Sequence, residues 1–287
     1  MSPDGKKLVA IISPSGKIDP QYLSAGVDAL KSFGFAVEIF PSTLSSASGV
    51  FAAPDDLRAS DLLSALTRPD VDIIWGARGG YGAVRTLQHF PLDALRNNNK
   101  IIVGFSDITA LHAIALQGTC QPILGPMLKH FALSDRTAPD INNTIQLING
   151  FPISVSVPPH PLNRPGSVCA PIIGGNLSVL FSLRGTPADN PTRGKILFLE
   201  DLCEYRYHID RMIQNFRFGG LLDGLAGLIV GQMTDLRDGA TPFGTDAYQI
   251  ISDAVADYSY PVLCAFPSGH DPAISQPILL GTPARLD

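Results

Sequence analysis

Ser106 is the residue of this chain best placed for nucleophilic chemistry. It lies in Gly104-Phe105-Ser106-Asp107, directly after the apolar Ile101-Ile102-Val103. Behind it comes the helix-compatible spacing of Ile108, Leu111, Ile114 and Ala115. A serine on a sharp strand-to-helix turn lifts its hydroxyl out of the top of a sheet. The first N–H groups of the helix behind it lack intrahelical partners and can stabilise negative charge beside an attacked carbonyl. The second glycine of G-x-S-x-G is absent, because Ile108 stands there. The same residues also fit ordinary helix capping by Ser106 or Asp107.

A serine hydroxyl needs a neighbouring base, and a histidine base needs a carboxylate to fix its tautomer and stabilise the imidazolium. Glu200 follows the strand-like Lys195–Leu199, apolar from Ile196 onward, and His270 follows Gly269 just beyond the apolar Pro261–Phe266. The chain order Ser106, Glu200, His270 is permitted, since such triads are defined by geometry and role. Of the six histidines, His112 lies on the serine helix and packs there or faces solvent. His89, His130 and His160 carry no partner signal, and His208 falls in a charged amphipathic stretch that reads as surface or interface. His270 also fits a structural turn residue. Asp201 is an alternative orienting acid. Cys203 and Cys264 allow a Cys–His reading, but neither occupies a strand-to-helix turn.

The elements that must position these groups follow from periodicity. Leu8–Ile12 reads as a first strand. Asp19-Pro20 opens a helix through Tyr22, Ala25, Val27, Leu30 and Phe33, stopped by Gly34, and Ala36–Phe40 reads as a second strand. That order implies parallel pairing with a right-handed crossover. Ser42–Asp56 reads as a loop, Asp56–Leu66 as a helix and Val71–Trp75 as a third strand. The run from Gly76 through Arg85 follows, with four glycines in seven residues, ahead of a helix over Ala83–Leu87. Its G-x-x-G-G-x-G spacing fits neither the dinucleotide fingerprint nor the P-loop. Successive βα units place their loops at one carboxyl edge, so the Gly79 and Gly80 amides could face Ser106.

Beyond the serine helix, Pro122–Met127 reads as a short strand and turn, Thr137–Asn149 as a helix, and Phe151–Val157 as a half-exposed strand. Four prolines and a glycine in Pro158–Gly166 mark a boundary. The expected domains are 1–157, a linker at 158–168, and 169–287. In the second half, Ala170–Leu180 reads as a strand, a Gly174-Gly175 turn and a helix start. Lys195–Leu199, Gly227–Gly231 and Pro261–Phe266 read as strands, and Glu204–Phe216 and Asp246–Ala256 as helices.

The formal charge is -5, from 21 basic and 26 acidic residues, with no Lys/Arg run, so nucleic acid and anionic membrane are excluded as expected partners. The first apolar run is too short for a signal sequence, and none approaches the ~18 residues that span a bilayer. A cytoplasmic protein is expected. Cys120, Cys169, Cys203 and Cys264 show no C-x-x-C or zinc spacing. They read as reduced, mostly buried thiols, and no metal or cofactor is expected.

Arg78-Gly79-Gly80-Tyr81-Gly82, Gly104-Phe105-Ser106-Asp107, Gly174-Gly175-Asn176-Leu177-Ser178, Leu199-Glu200-Asp201, Tyr207-His208-Ile209-Asp210-Arg211-Met212 and Gly269-His270 occur in that order. As a set they resemble the LD-carboxypeptidase family of serine peptidases, which includes muramoyltetrapeptide carboxypeptidases and microcin C immunity peptidases. The resemblance implies an α/β protein with an N-terminal Rossmann-like parallel sheet, a smaller β-rich C-terminal domain that carries the acid and base, and a homodimer. It implies Ser106 as nucleophile, His270 as base, Glu200 as orienting acid, and oxyanion amides from Asp107 and Gly80. Arg78, Gly79, Tyr81 and Arg211 are candidate substrate-binding residues, with ion pairing to Asp210 the alternative for Arg211. The activity implied is release of terminal D-alanine from a murein peptide. The alternatives are a microcin-type peptidase acting on peptidyl nucleotides and a non-catalytic module that uses the glycine turn as an anion nest. Trp75, the single tryptophan, sits at a strand end rather than in a substrate loop, which favours the murein reading over one that stacks adenine.

Overall fold

The computed structural model describes residues 5–45, 49–133, 139–271 and 274–287. The chain forms two compact units, Met1–Ile153 with Pro277–Leu279, and Ser154–Gln276 with Leu280–Asp287.

The first unit runs β1 (Leu8–Ile12), α1 (Pro20–Ser32), β2 (Ala36–Ile39), α2 (Pro41–Leu44), α3 (Asp55–Thr67), β3 (Val71–Gly76), α4 (Ala83–Gln88) and α5 (Leu92–Arg96). It continues with β4 (Ile101–Gly104), a 3-10 turn (Ser106–Ile108), α6 (Thr109–Ala115), β5 (Gln121–Leu124), α7 (Leu128–Leu133) and α8 (Pro139–Ile148). The entry into α1 is set by Asp19, whose carboxylate accepts the Gln21 N–H at 2.9 Å, and by Pro20 behind it. Every residue of β1 is buried, as a central parallel strand requires. Val9, Ile11, Ile73, Trp75, Val103 and Ile123 from the sheet pack with Leu30 of α1 and Phe131 of α7.

The strands β1 to β5 are parallel in the order β5-β4-β3-β1-β2. A further strand, β10 (Ile278–Leu279), adds antiparallel to β5. The winding direction reverses between β1 and β3, and the carboxyl ends of strands at such a reversal border the crevice where open α/β sheets hold ligands. The loops after β1, β3 and β4 leave from that edge. One helical turn, α2, interrupts the expected Ser42–Asp56 loop, started by Pro41 with its helix-compatible φ. Residues 46–48 of that loop, and Thr137 and Ala138 of the helix expected over Thr137–Asn149, lie outside the described residues.

The second unit runs β6 (Val168–Asn176), α9 (Leu177–Ser182), β7 (Ile196–Leu202), α10 (Arg206–Phe218), β8 (Gly227–Thr234), α11 (Ala247–Ala254), β9 (Val262–Leu263) and β11 (Pro283–Leu286). Its sheet is ordered β11-β6-β7-β8-β9, with β6 to β9 parallel and β11 antiparallel. Both β10 and β11 lie beyond the last element that the sequence pattern suggested.

Three local expectations are corrected. Gly174-Gly175 does not reverse the chain. It continues β6 at φ 129° and 148°, and a Cβ on Gly174 would lie 1.9 Å from the Phe198 carbonyl oxygen of β7. The glycines serve close approach of two strands rather than a turn. Phe151–Val157 alternates in exposure as predicted but joins no ladder; Pro152, Pro158 and Pro159 remove donors from this stretch. Pro261–Phe266 shortens to the two residues of β9, since Ala265 turns the chain at φ 56°. Gly174→Ala is expected to destabilise the protein by more than about 3 kcal/mol, read as a lowered urea midpoint.

Candidate active site

In the first unit, β4 ends in a tight turn. Phe105 is extended at φ -154°, and Ser106 takes the left-handed φ of 59°, before the 3-10 turn passes into α6. A non-glycine residue in that region costs about 1–2 kcal/mol and is tolerated where the surroundings enforce it. Ile108, which stands where a second glycine was absent, is buried. A Cβ on Gly104 would come within 2.9 Å of the Ile108 side chain, and one on Gly76 within 3.2 Å. The bare ends of β3 and β4 thus receive Ile108, and its packing presses the turn onto the sheet.

The glycine-rich loop after β3 lies against this turn. A Cβ on Gly79 would sit 3.0 Å from Ser106 Cβ, 3.2 Å from its Oγ and 3.4 Å from the Asp107 amide nitrogen. Gly16 N–H donates to the Gly79 carbonyl at 3.0 Å. The N–H of Gly80, antiparallel to that carbonyl across a trans peptide, therefore points away from Gly16. Among the described residues it has no acceptor. The Asp107 amide, in the first turn of the 3-10 segment, also lacks an intrahelical acceptor.

The Asp107 side chain caps a different helix from the expected one. Its carboxylate accepts the Ala83 N–H at 2.8 Å, at the start of α4. Burial pushes its pKa up, against hydrogen bonds and the nearby Arg58 charge that pull it down. Arg58 was not singled out from the sequence. It is buried, and its guanidinium donates to the Ala53 carbonyl at 3.0 Å, the Gly82 carbonyl at 2.9 Å and Thr86 Oγ1 at 2.6 Å. It also donates to the Pro14 carbonyl and pairs with Asp55. One fork thus ties the loop after β1 to the loop after β3. The available signal was its spacing, since Arg58 shares a helix face with Leu62 and Ala65, where an unpaired charge would be costly.

In the second unit, Glu200 and Asp201 are consecutive in β7, so their side chains leave opposite faces. Glu200 is fully buried, and its Oε2 lies 2.8 Å from His270 Nδ1. Its Oε1 has no hydrogen-bond partner among the described residues. Asp201, the alternative orienter, is committed elsewhere. It accepts from Asn176 Nδ2 at 3.0 Å and Ser178 N–H at 2.9 Å, at the start of α9. Burial and the neighbouring Glu200 charge push its pKa up to about 6. Gln232 of β8 fixes the histidine turn: its side-chain Oε1 accepts the Asp271 N–H at 2.7 Å, and its backbone N–H donates to the Ser268 carbonyl at 2.9 Å. Nothing in the sequence around Gln232 marked it.

The predicted residues thus fall into two groups, Gly79, Gly80, Ser106 and Asp107 in the first unit and Glu200 with His270 in the second. Tyr81 is an exposed ring 5.7 Å from that of Phe51. Arg78 is exposed and donates to the Lys17 carbonyl at 2.7 Å. Arg211 makes no ion pair among the described residues; its guanidinium lies 5.4 Å over the Tyr207 ring. His112 is fully buried, with Nε2–H directed at the Ile102 carbonyl at 3.2 Å, and burial pushes its pKa down to about 4. His208 pairs with Glu204 at 2.9 Å. Cys120 and Cys264 are buried, but Cys169 and Cys203 are exposed, against expectation. Cys169 faces outward from β6, and Cys203 sits in the turn that ends β7.

Known proteins share the sequence and architecture of both halves of the chain. Residues 9–124 match the family model of the LD-carboxypeptidase N-terminal domain, and residues 170–286 that of the LD-carboxypeptidase C-terminal domain. The chain is 32% identical over 275 residues to the probable murein peptide carboxypeptidase of Bacillus subtilis (strain 168), across 94% of this chain and 86% of the relative. The crystal structure of muramoyltetrapeptide carboxypeptidase from Oxalobacter formigenes matches with a TM-score of 0.84 and 28% identity, over 97% of this chain and 94% of that one. The microcin C7 self-immunity protein MccF, solved with aspartyl sulfamoyl adenosine, shares the fold at a TM-score of 0.81 and 21% identity, over 98% of this chain and 93% of that one.

Two outcomes follow from the buried charges. Arg58→Met leaves several buried acceptors without a donor and is expected to lower stability by about 3–5 kcal/mol. Arg58→Lys is expected to recover only part, since one ammonium cannot replace the fork; urea unfolding of both variants is the check. His112 is neutral in the folded protein down to about pH 4, whereas an unfolded histidine takes up its proton near 6.5. Its stabilising contribution is therefore complete above pH 6.5 and lost as the pH falls towards 4, by about 3 kcal/mol. In His112→Leu this part of the acid dependence should vanish from urea midpoints measured between pH 7 and 4.

Proposed function

The chain belongs to the LD-carboxypeptidase family and is a serine-type carboxypeptidase, a hydrolase; from this we propose that it releases terminal D-alanine from a murein tetrapeptide, using Ser106, His270 and Glu200. The observation that carries the assignment of base and acid is the 2.8 Å contact between His270 Nδ1 and the buried Glu200 carboxylate. A carboxylate accepts, so Nδ1 bears the proton, and in that tautomer Nε2 is the ring nitrogen able to accept a hydroxyl proton.

In the proposed mechanism Ser106 Oγ attacks the carbonyl of the last L,D-peptide bond as His270 Nε2 takes its proton. The tetrahedral oxyanion is met by the Asp107 and Gly80 amides, where one lost donor costs about 3 kcal/mol of barrier. His270 then protonates the leaving amine of D-alanine. Water, activated by the same imidazole, releases the shortened peptide from the acyl-enzyme. The left-handed Ser106 and the close approach of Gly79 support this assignment, since a larger residue at 79 would crowd Oγ. Tyr81 and Gly79 flank the proposed reaction centre. Arg211 is assigned a further substrate contact.

The murein reading is favoured over a peptidyl-nucleotide substrate by the names of the more similar relatives, whereas the MccF likeness, at 21% identity, bears on the fold alone. Trp75 is fully buried, with Nε1–H donating to the Pro126 carbonyl at 2.8 Å, so it cannot stack on a base. Among the described residues no helix is long and apolar enough to cross a membrane. We place the enzyme in the cytoplasm as a homodimer serving peptidoglycan recycling.

Ser106→Ala and His270→Ala are each expected to lower kcat on murein tetrapeptide by at least about 10⁴-fold, followed as D-alanine release. A fluorophosphonate should label Ser106 in the parent protein and label the His270→Ala variant far more slowly. Unchanged hydrolysis in Ser106→Ala defeats the assignment. Faster hydrolysis of a peptidyl adenylate than of the tetrapeptide replaces the substrate.

A further inference from the structure

The strand order of the first unit puts β4 between β3 and β5. Ser106 follows β4, Arg78 follows β3, and Lys129 opens α7 after β5. These three residues therefore leave the same carboxyl edge from adjacent strands, with the serine in the middle. Two contacts hold the α7 end against the serine turn. Gly125 N–H donates to the Gly104 carbonyl at 3.1 Å, and the ring of His130, next to Lys129, lies 5.1 Å from that of Phe105, next to Ser106. A third, from Trp75 to the Pro126 carbonyl, fixes the same end to β3.

Lys129 is partly buried, yet among the described residues no hydrogen-bond acceptor or carboxylate meets its ammonium. Burial pushes its pKa down, and the Arg78 charge lowers it further. Among the described residues Arg78 has one carbonyl acceptor and no acidic partner. A partly buried ammonium beside a second, exposed cation, with no anion between them among the described residues, opposes folding. Such a pair makes sense where an anion arrives with the substrate. In a carboxypeptidase that anion is one residue away from the attacked carbonyl, about 3.5 Å of chain. Neighbouring strands are about 4.8 Å apart, so loops flanking the serine strand are at the required range.

We propose that Arg78 and Lys129 together form the subsite for the terminal carboxylate of the substrate, with Lys129 the determinant that sets the preference for a free acid. The proposal rests on the carboxypeptidase reading of Ser106. It is tested with the tetrapeptide and its C-terminal carboxamide, on the parent protein and on Lys129→Gln, Lys129→Arg and Arg78→Gln. The parent should prefer the free acid. In Lys129→Gln the KM for the free acid should rise about 10–100-fold, the value of one charge-assisted hydrogen bond, and the acid-over-amide preference should collapse towards unity. Lys129→Arg should restore most of it. The urea midpoint of Lys129→Gln should be equal or higher, because a repulsion is removed; a merely structural lysine would lower it. An unaltered preference in Lys129→Gln, or an equal loss on both substrates, overturns the proposal. If the parent hydrolyses neither peptide, the functional reading fails instead. Calorimetric binding of the tetrapeptide to Ser106→Ala, with and without Lys129→Gln, then decides the subsite: equal affinities overturn it, and a 10–100-fold loss supports it.

Discussion

The hydrogen bond from the Ala83 amide to the Asp107 carboxylate joins two turns that belong to different βα units. It reaches from the residue next to Ser106 to the first residue of α4, behind the glycine-rich loop. Because Asp107 is buried, the bond is poorly screened, and the amide it satisfies would otherwise be an orphan helix donor. Arg58 completes the arrangement from beneath, holding the Gly82 and Pro14 carbonyls in one guanidinium. The glycine loop, flexible by composition, is thereby held by three fixed points: Gly16 on its Gly79 carbonyl, Arg58 on Gly82 and Asp107 on Ala83. Freedom in φ is used there for close approach, not for motion.

The second unit meets a different constraint. Two adjacent carboxylates, Glu200 and Asp201, are both buried in one strand. The pleat sends them to opposite faces, and each finds its own compensation. Asp201 receives amide donors at the start of α9, where the helix terminus favours negative charge. Glu200 faces a single imidazole through one oxygen, and its other oxygen has no hydrogen bond among the described residues. A carboxylate so sparsely solvated gains most from a positive neighbour, which is the condition an orienting acid must meet when its histidine becomes charged.

Much of this was legible in the residues. The alternation of apolar runs with helical spacing gave β1 to β5, and Asp19-Pro20 located α1, because these signals act over a few neighbouring residues. The serine turn and the Glu200–His270 candidates were also visible, since strand ends followed by polar residues are local patterns. What was not visible depended on approach between distant segments. Gly174-Gly175 looks like a turn until the Phe198 carbonyl is seen where a Cβ on Gly174 would stand. Asp107 looks like a cap for its own helix until α4 is brought alongside. Phe151–Val157 keeps a strand's alternation but lacks a neighbour with which to pair. Arg58, Gln232 and Lys129 each act on a group remote in sequence, and a pattern of residue types does not encode which carbonyl or charge stands opposite.

The missing second glycine shows how such a departure can be accommodated. In a G-x-S-x-G turn, the glycines flanking the serine let the following helix pack close to the preceding strand. Here Ile108 is bulky, yet the helix still packs close, because the bulk is received by Gly104 on its own strand and Gly76 on the next. The space has been moved from the helix side to the sheet side. The requirement that persists is therefore on volume summed across the turn and two strand ends rather than on any one position. The burial of Ile108, at 1% exposure, adds apolar packing beneath the strained Ser106. That packing helps offset the cost of the left-handed backbone and holds the hydroxyl on the loop side of the turn, against Gly79.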